Sequence, residues 1–423
     1  MQGISRRHLL AGLGLLPWLL SGCLGSSVKR ARVVVVGGGF AGATAARYLK
    51  RQAPALDVVL IEPKQDYFTC PFSNHVIAGL QAPDSIRQDY QALVGQDISH
   101  IRESVLVIDR DKRRLHLSDG QQLGYDRLLL ATGISMNWQA VDGYSQNAAA
   151  IIPHAWQAGE QTLLLRKQLR AMEDGGLVII SVPDNPYRCP PGPYERASLI
   201  AHYLSLHKPR SKVLILDSKD NFSKQALFQQ SWQQSAGRVE WLGRADGGHV
   251  VTVDAGRREL ITEFGQRHKA AVINFIPPQM ATPIAQTAGL TDRTGWVPIL
   301  ADTFQTQADP HIYAAGDCTI AAPMPKSAYS ANAQAKLAVA AILADLAGRE
   351  APPTALRNTC YSALTPEGSV SIAANYEVQQ QRLIEMPGSL TLSPLDGSAA
   401  LRRQEADMAR AWYASICADA WGV

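Results

Sequence analysis

The chain has 423 residues, of which 46% are hydrophobic and 18% are charged, and its formal net charge at pH 7 is +4. This length is too great for one compact core, so two or three domains are expected. The small net charge and the lack of a basic run argue against a nucleic-acid-binding protein. The six cysteines form no C-x-x-C or Cys/His cluster, so no metal site is expected.

Residues 1–27 have the pattern of an export signal. Paired arginines, Arg6 and Arg7, precede an apolar run over residues 11–20 that is shorter than the ~20 residues of a membrane span. This pattern is typical of twin-arginine export and predicts a periplasmic protein. The sequence Leu-Ser-Gly-Cys ending at Cys23 fits a lipoprotein cleavage site, which would leave a lipid anchor, and ordinary cleavage near residue 27 fits equally well.

A strand and a glycine-rich turn follow the signal. Four consecutive valines, residues 33–36, lead into Gly37, Gly39 and Gly42 in G-x-G-x-x-G register, and a helical run comes next. Backbone N–H groups and the helix dipole at such a turn bind a pyrophosphate. Glu62 ends the following predicted strand twenty residues later, where a carboxylate can bind a ribose diol. The pattern therefore predicts a dinucleotide site.

Two later strands have related endings. One ends in Ala-Thr-Gly at Thr132 and Gly133, and the other ends in Ala-Gly-Asp at Gly316 and Asp317. In this order the endings resemble the second and third checkpoints of the two-dinucleotide-domain flavoproteins. The resemblance implies bound FAD, with Asp317 on its ribityl chain. It also implies an α/β fold with two Rossmann-like dinucleotide-binding domains, as in glutathione reductase.

The middle of the chain has strands for a second nucleotide domain but lacks its glycine loop. Strands are predicted over residues 176–181 and 212–217, and the turn after the first strand, residues 182–193, contains five prolines. Proline rings and bulky side chains keep a pyrophosphate off the backbone. We therefore expect the second fold to be kept and its nicotinamide site to be lost.

Four stretches have a more specific resemblance. They are DYFTC at 66–70, CPPGPYERAS at 189–198, MPKSAYSAN at 324–332 and NTCYS at 358–362. Together they resemble the flavoprotein subunit of flavocytochrome c sulfide dehydrogenase, and wider relatives are the sulfide:quinone oxidoreductases. The resemblance implies an FAD-binding domain over 31–142 and 269–349, a second nucleotide-like domain over 143–268, and a C-terminal α+β domain over 350–423 that covers the flavin and forms the subunit interface.

The resemblance also implies the site residues. Cys70 would hold FAD through a thioether, although from the residues alone it could be a buried thiol. Cys189 and Cys360 match the family's redox-active disulfide over the flavin, and a purely structural bridge is the alternative in an exported protein. Glu195 is a candidate for proton transfer, or else a surface group on the helix that follows.

Two further residues are expected near the flavin ring. Lys326 precedes an alanine-rich helical run and would place positive charge at the pyrimidine edge of the flavin. Trp412 would lie near the isoalloxazine, with ordinary core packing as the alternative. Cys318 and Cys417 have no predicted role beyond buried thiols.

The implied reaction is FAD-dependent oxidation of sulfide to sulfur or polysulfide. Hydrosulfide attacks the disulfide and leaves a persulfide on Cys189, while Cys360 is the thiol next to the flavin. Electrons would pass to a c-type, diheme cytochrome on a separate subunit, because this chain has no haem-attachment C-x-x-C-H. A sulfide:quinone oxidoreductase and an accessory redox flavoprotein of a periplasmic sulfur-oxidising complex are the alternatives.

Overall fold

A computed structural model describes residues 30–234, 237–353 and 355–422. The predicted export signal and Cys23 lie outside these described residues. The helices within them include ten α-helices and a 3-10 turn at Pro83–Ile86. In chain order the α-helices are α1 (Phe40–Gln52), α2 (Ser73–Ile77), α3 (Gln91–Val94), α4 (Gln146–Ala149), α5 (Glu160–Ala171), α6 (Gly192–His207), α7 (Gln225–Gln234), α8 (Pro283–Thr287), α9 (Ala328–Leu346) and α10 (Ala399–Trp421).

The strands of the described residues run through the whole chain, and most are short. They are β1 (Arg32–Val36), β2 (Asp57–Ile61), β3 (Asp66–Phe68), β4 (Arg87–Asp89), β5 (Ser99–Ile101), β6 (Val105–Asp109), β7 (Arg114–Leu117), β8 (Gln122–Gly124), β9 (Arg127–Leu130), β10 (Ile134–Met136), β11 (Leu177–Val182), β12 (Lys212–Asp217), β13 (Val239–Leu242), β14 (Val250–Asp254), β15 (Glu259–Thr262), β16 (Arg267–Lys269), β17 (Val272–Phe275), β18 (Gln279–Ala281), β19 (Val297–Pro298), β20 (Gln305–Thr306), β21 (Asp309–Ala314), β22 (Thr319–Ile320), β23 (Ala355–Thr365), β24 (Gly368–Gln379), β25 (Arg382–Glu385) and β26 (Thr391–Leu392).

The first large sheet is built around the four valines of β1. These valines are buried, as expected for a strand covered on both faces of a parallel sheet. The strand order is β20-β21-β9-β1-β2-β5, and β1 runs parallel to both β2 and β9. Strand β21 comes from far downstream and pairs in parallel with β9. The three predicted strand endings therefore meet at one edge of this sheet, where doubly wound folds bind ligands.

The second large sheet repeats this arrangement. Its order is β13-β12-β11-β17, and β11 lies between two parallel neighbours. Helix α6 follows β11 in the way that α1 follows β1. The predicted second doubly wound unit is present, and its first strand leads into the proline-rich turn.

The C-terminal segment closes the fold over the edge of the first sheet. Strands β23 and β24 form a long antiparallel pair, and α10 packs on β24 and on α1. Trp421 is fully buried at the end of α10, with its ring centroid 4.9 Å from that of Phe40 and 5.3 Å from that of Tyr67. Each such aromatic pair contributes about 0.5–1.5 kcal/mol beyond area burial. The last helix is thereby fixed to the segment that follows the glycine turn.

Candidate active site

The turn after β1 requires glycine because backbone atoms approach it closely. Gly37 has φ of +101°, and a Cβ there would lie 2.5 Å from the carbonyl oxygen of Ala131. A Cβ on Gly42 would lie 1.7 Å from the carbonyl oxygen of Gly37. Gly39 directly precedes α1, so the first N–H groups of this 13-residue helix face the turn.

Glu62 is held against the same turn. One carboxylate oxygen, Oε2, accepts a hydrogen bond from the Gly38 N–H at 2.9 Å, and Oε1 accepts one from the Lys64 N–H at 3.1 Å. The carboxylate therefore lies at the position from which the sequence predicts ribose binding.

The ends of β9 and β21 supply the facing wall. Gly133 and Gly316 both have positive φ, +68° and +83°. Oδ2 of Asp317 accepts a hydrogen bond from Arg188 Nε at 2.6 Å, whereas its Oδ1 is buried without a hydrogen-bond partner. A buried acceptor without a partner is costly unless a ligand donates to it. The Thr132 hydroxyl accepts a hydrogen bond from Thr282 and belongs to the wall behind.

A cavity of about 1180 Å³ opens between these turns, the start of α6 and strand β23. Nine of the predicted site residues line it, namely Gly39, Cys70, Gly133, Cys189, Glu195, Gly316, Asp317, Cys360 and Trp412. Gly37, Gly42, Glu62 and Thr132 lie in the turns around it.

Three half-buried cysteines share this cavity, and all three are free thiols in the structure. The predicted disulfide between Cys189 and Cys360 is thus not formed here, although the fold brings both residues to one cavity. Burial raises the pKa of Cys189, and the charge of Cys360 raises it further. Burial also raises the pKa of Cys360, while Lys224 lowers it. The charge of Cys360 therefore disfavours ionisation of Cys189.

Cys189 is presented by a tight turn before α6. Its backbone has φ of +55°, which is uncommon for a residue with a side chain. Its N–H donates to the carbonyl of Lys326 at 2.8 Å, and its own carbonyl accepts from the Gly192 N–H at 2.8 Å. These bonds hold the strained turn and direct the thiol into the cavity wall.

Glu195 lies in the first turn of α6 and is fixed on both carboxylate oxygens. Oε1 accepts a hydrogen bond from Asn74 Nδ2 at 2.8 Å, and Oε2 accepts one from the backbone N–H of Ala363 at 3.0 Å. The positive end of the helix dipole also favours a carboxylate at this position. Since the side chain lines the cavity, the alternative of a solvated surface glutamate does not describe it.

Lys326 and Trp412, both expected near the flavin ring, line different cavities. The Lys326 ammonium donates to the carbonyls of Asp317 and Thr319 and lies 3.7 Å from the ring centroid of Trp296. It lines a second cavity of about 1030 Å³ and not the first one. Burial lowers the pKa of Lys326 to about 8. Trp412 does line the first cavity, and its Nε1–H is buried without a hydrogen-bond acceptor.

Three cations near the cysteines, one half-buried and two buried, were not predicted. Arg188 pairs with Asp317 and places Nη1 3.4 Å from Cys70 Sγ. Arg196 is 2% exposed and lies over the Trp156 ring at 4.8 Å. Lys224 is 6% exposed. Both arginines lie in or next to the CPPGPYERAS motif, but a charged residue in a motif does not reveal its partner, and nothing in the sequence singles out Lys224.

The residues present fit FAD. The glycine turn offers a cradle that any Cβ would fill, and Asp317 Oδ1 is a buried acceptor open to a ribityl hydroxyl. Trp412 Nε1–H is a buried donor in the same cavity. Among the described residues, no group of three or more His, Cys, Asp or Glu side chains could hold a metal ion.

Comparison with known proteins first defines the class. The model of the pyridine nucleotide-disulphide oxidoreductases matches residues 31–168. The solved sulfide:quinone oxidoreductase of Aquifex aeolicus superposes with a TM-score of 0.74 at 18% identity, over 93% of each chain. Putidaredoxin reductase, in its covalent complex with putidaredoxin, superposes with a TM-score of 0.66 at 19% identity, over 90% of this chain and 93% of the other. The predicted fold class is confirmed, and the protein is a flavoprotein-type oxidoreductase.

Further matches define the family. The central model of the sulfide dehydrogenase [flavocytochrome c] flavoprotein chain matches residues 162–277, and the flavocytochrome c sulphide dehydrogenase flavin-binding model matches residues 352–421. A flavocytochrome c sulfide dehydrogenase flavoprotein chain of Chlorobaculum thiosulfatiphilum is 60% identical over 45 residues, 11% of this chain and 94% of that one. The mitochondrial sulfide:quinone oxidoreductase of Dictyostelium discoideum is 22% identical over 317 residues, 73% of this chain and 69% of that one. This chain belongs to the flavocytochrome c sulfide dehydrogenase flavoprotein family, as its motifs predicted.

Proposed function

We propose that this chain oxidises sulfide to sulfur or polysulfide, using bound FAD and the Cys189–Cys360 pair as a redox disulfide. One observation carries the proposal. Two cysteines 171 positions apart in the sequence line the same cavity as Gly39 and Asp317 of the dinucleotide-binding edge. A purely structural bridge would have no need of that cavity, whereas a redox disulfide must be reachable by substrate and by cofactor.

When bound, FAD accepts a pair of electrons and releases them one at a time. The glycine turn and Glu62 would hold its adenosine half, and Asp317 its ribityl chain. Cys70, half-buried in the same cavity, is the proposed site of covalent attachment. If the attachment exists, acid precipitation leaves the yellow colour in the protein pellet, and a yellow supernatant would remove Cys70 from this role.

The first chemical step is thiol–disulfide exchange with hydrosulfide as the nucleophile. Hydrosulfide attacks Cys189 Sγ, a new S–S bond forms there, and the Cys189–Cys360 bond breaks. Its electron pair stays on Cys360 as a thiolate, and the hydrosulfide proton remains on the outer sulfur of the Cys189 persulfide. Glu195, fixed by Asn74 and by the Ala363 N–H, is the carboxylate proposed to accept that proton.

In this proposal, the electrons pass to a diheme c-type cytochrome on a separate subunit in the periplasm. The family's name is that of a flavocytochrome chain, and this sequence contains no C-x-x-C-H for haem of its own. The twin-arginine pattern supports export, and Cys23 is the proposed lipid anchor if cleavage falls directly before it. Within the described residues, no helix combines the length and apolar character needed to cross a bilayer.

A second candidate acceptor is a quinone. Large apolar side chains are exposed along the segment from β25 to the start of α10, namely Met386, Leu390, Leu392 and Leu395. Such a surface suits a protein partner or a lipid interface. An acceptor assay separates the two, because a cytochrome-linked enzyme reduces c-type cytochrome with sulfide and leaves a water-soluble quinone analogue oxidised. An accessory protein of a sulfur-oxidising complex would sustain neither turnover alone.

Anaerobic stopped-flow reduction of the flavin by sulfide tests the proposal. Cys189→Ser and Cys360→Ser should each slow flavin bleaching by about 10³-fold or more, because the nucleophilic route is lost. Cys417→Ser is the matched control, since this buried cysteine on α10 does not line the cavity. Wild-type rates in either cavity variant would overturn the disulfide mechanism.

A further inference from the structure

Lys224 is a buried lysine outside the recognised motifs. It lies directly before α7, is 6% exposed and has φ of +63°. Its ammonium donates hydrogen bonds to the carbonyl of Cys360 at 3.1 Å and to Ser362 Oγ at 2.8 Å. A lysine is rarely buried, and a side chain at positive φ is uncommon. Both features together indicate that the surrounding structure holds this cation in place.

The charged groups around Lys224 belong to the sulfur site. Cys360, Glu195 and Cys189 face it, with Glu405 of α10 farther along, and all four favour its charged form against the effect of burial. Lys224 acts on the two cysteines unequally. On Cys360 it is the largest charge effect, opposed by Glu195. On Cys189 it ranks behind Cys360, Glu195 and Cys70, which all disfavour a thiolate there.

We propose that Lys224 sets the direction in which the Cys189–Cys360 disulfide opens. The inference rests on the proposed function and adds to it the residue that selects the leaving sulfur. When hydrosulfide attacks Cys189 Sγ, the electron pair of the broken bond stays on Cys360, next to the lysine charge. Attack on Cys360 Sγ would instead place the pair on Cys189, among groups that disfavour it.

The consequence is that the persulfide forms on Cys189. A thiol with the lower pKa leaves faster in disulfide exchange, so the lysine charge favours Cys360 as the leaving group. Lys224 is a positioning residue, since its ammonium bonds the Cys360 carbonyl and Ser362 rather than a reacting sulfur.

The test uses holoenzyme, one equivalent of sulfide, rapid alkylation and peptide mass mapping of the persulfide. In wild type the persulfide should be found predominantly on Cys189, because the thiol with the lower pKa leaves faster. In Lys224→Met the ratio should fall to within about twofold, and Lys224→Arg should restore the preference.

Two further variants separate charge from folding. Lys224→Gln keeps an amide donor for Ser362 without the charge. If Lys224→Met fails to hold FAD, the persulfide ratio in Lys224→Gln is the test of the charge. Lys219→Met is the matched control, because that lysine is also largely buried but pairs with Asp217 at 2.6 Å. It should retain the wild-type distribution.

A second readout is the pH profile of alkylation in the reduced holoenzyme. Removing the charge at position 224 should raise the pH midpoint of Cys360 more than that of Cys189. A persulfide ratio and a Cys360 midpoint both unchanged in Lys224→Gln would overturn the role of Lys224 and leave the proposed function intact. Absence of a persulfide from both cysteines in wild type would instead contradict the proposed function itself.

Discussion

The turns that follow β1 and β11 occupy equivalent places in the two doubly wound sheets, but they present different chemistry. After β1, three glycines fill the turn and α1 begins at Phe40. After β11, nine residues intervene before α6 begins at Gly192, and among them is Cys189. The first turn offers bare backbone to a ligand, and the second offers a thiol. One topological position can thus serve a nucleotide or a sulfur atom, depending on its side chains.

The backbone groups of the two turns are used differently. Both Gly37 and Cys189 adopt positive φ, which costs a non-glycine residue roughly 1–2 kcal/mol. At Cys189 this conformation is held by backbone bonds to Lys326 and Gly192 within the protein. Groups already bonded in this way cannot bind a pyrophosphate. The first turn of α6 also contains a carboxylate of the chain itself, that of Glu195. The corresponding first turn of α1 would instead face the ligand.

The largest expected effect is at the first turn. Gly37→Ala should yield protein without FAD, because its Cβ would lie 2.5 Å from the Ala131 carbonyl oxygen. Gly120→Ala is the control: this glycine has φ of +88° with nothing near its Cβ position. It should keep FAD and lose only roughly 1 kcal/mol of stability. Flavin content after purification and urea unfolding measure both, and equal flavin content would show that close approach at Gly37 is unimportant.

At the second turn, we expect no flavin reduction at all by nicotinamide cofactors. Because residues 183–191 expose no glycine cradle, neither NADH nor NADPH should bleach the flavin at about 1 mM, the upper end of common KM values. Sulfide added to the same anaerobic sample should bleach it. Rapid reduction by NADH would mean that the two turns are more alike than their residues indicate.

A smaller effect is expected at the carboxylate of the second turn. Glu195→Gln preserves the hydrogen bond from Ala363 but removes the proton acceptor. Flavin reduction by sulfide should slow by roughly 10²-fold, the lower end of general-base effects. The pH dependence of the rate distinguishes this loss from a merely structural one, because only a lost base flattens the profile.

The smallest expected effect is on the pH dependence of stability, at a buried histidine behind the second turn. His154 is 4% exposed, and burial together with Arg196 lowers its pKa to about 4. Its contribution to stability is complete above the unfolded pKa near 6.5 and is lost as pH falls toward 4, because the unfolded chain binds the extra proton. Between pH 7 and pH 5 this amounts to roughly 2 kcal/mol.

His154→Asn isolates that contribution. The asparagine carbonyl can accept the Trp156 N–H hydrogen bond that His154 Nδ1 accepts at 3.0 Å. Urea unfolding at pH 7 and pH 5 should therefore show a smaller loss of stability in the variant than in wild type. Identical losses in the two proteins would assign the acid sensitivity elsewhere.

The two turns also differ in how far sequence predicts them. The glycine turn is local: buried valines, glycines that backbone atoms approach closely and a carboxylate twenty residues later all lie in one supersecondary unit. Cys189 and Cys360, which line one cavity, are 171 positions apart, so only resemblance to a family indicated that they act together. Lys326 was expected at the flavin edge, and this stays a prediction; its ammonium donates to nearby carbonyls and lies over the Trp296 ring, contacts that the sequence did not indicate. Lys224 and Arg196 were missed because their partners come from distant segments.

The most direct test of the central claim is a peptide map of air-oxidised holoenzyme under non-reducing conditions, before and after one equivalent of sulfide without oxygen. Before sulfide, we expect the peptides of Cys189 and Cys360 to be cross-linked. After sulfide, the cross-link should open before the flavin bleaches, with one sulfur atom gained on Cys189. It should then re-form as a bridge containing that extra sulfur atom as the flavin bleaches, because the electron pair passes to FAD only when Cys360 bonds the persulfide sulfur. Bleached flavin with a cross-link that never opened and gained no sulfur atom, or with both cysteines free from the start, would contradict sulfide oxidation through this cysteine pair.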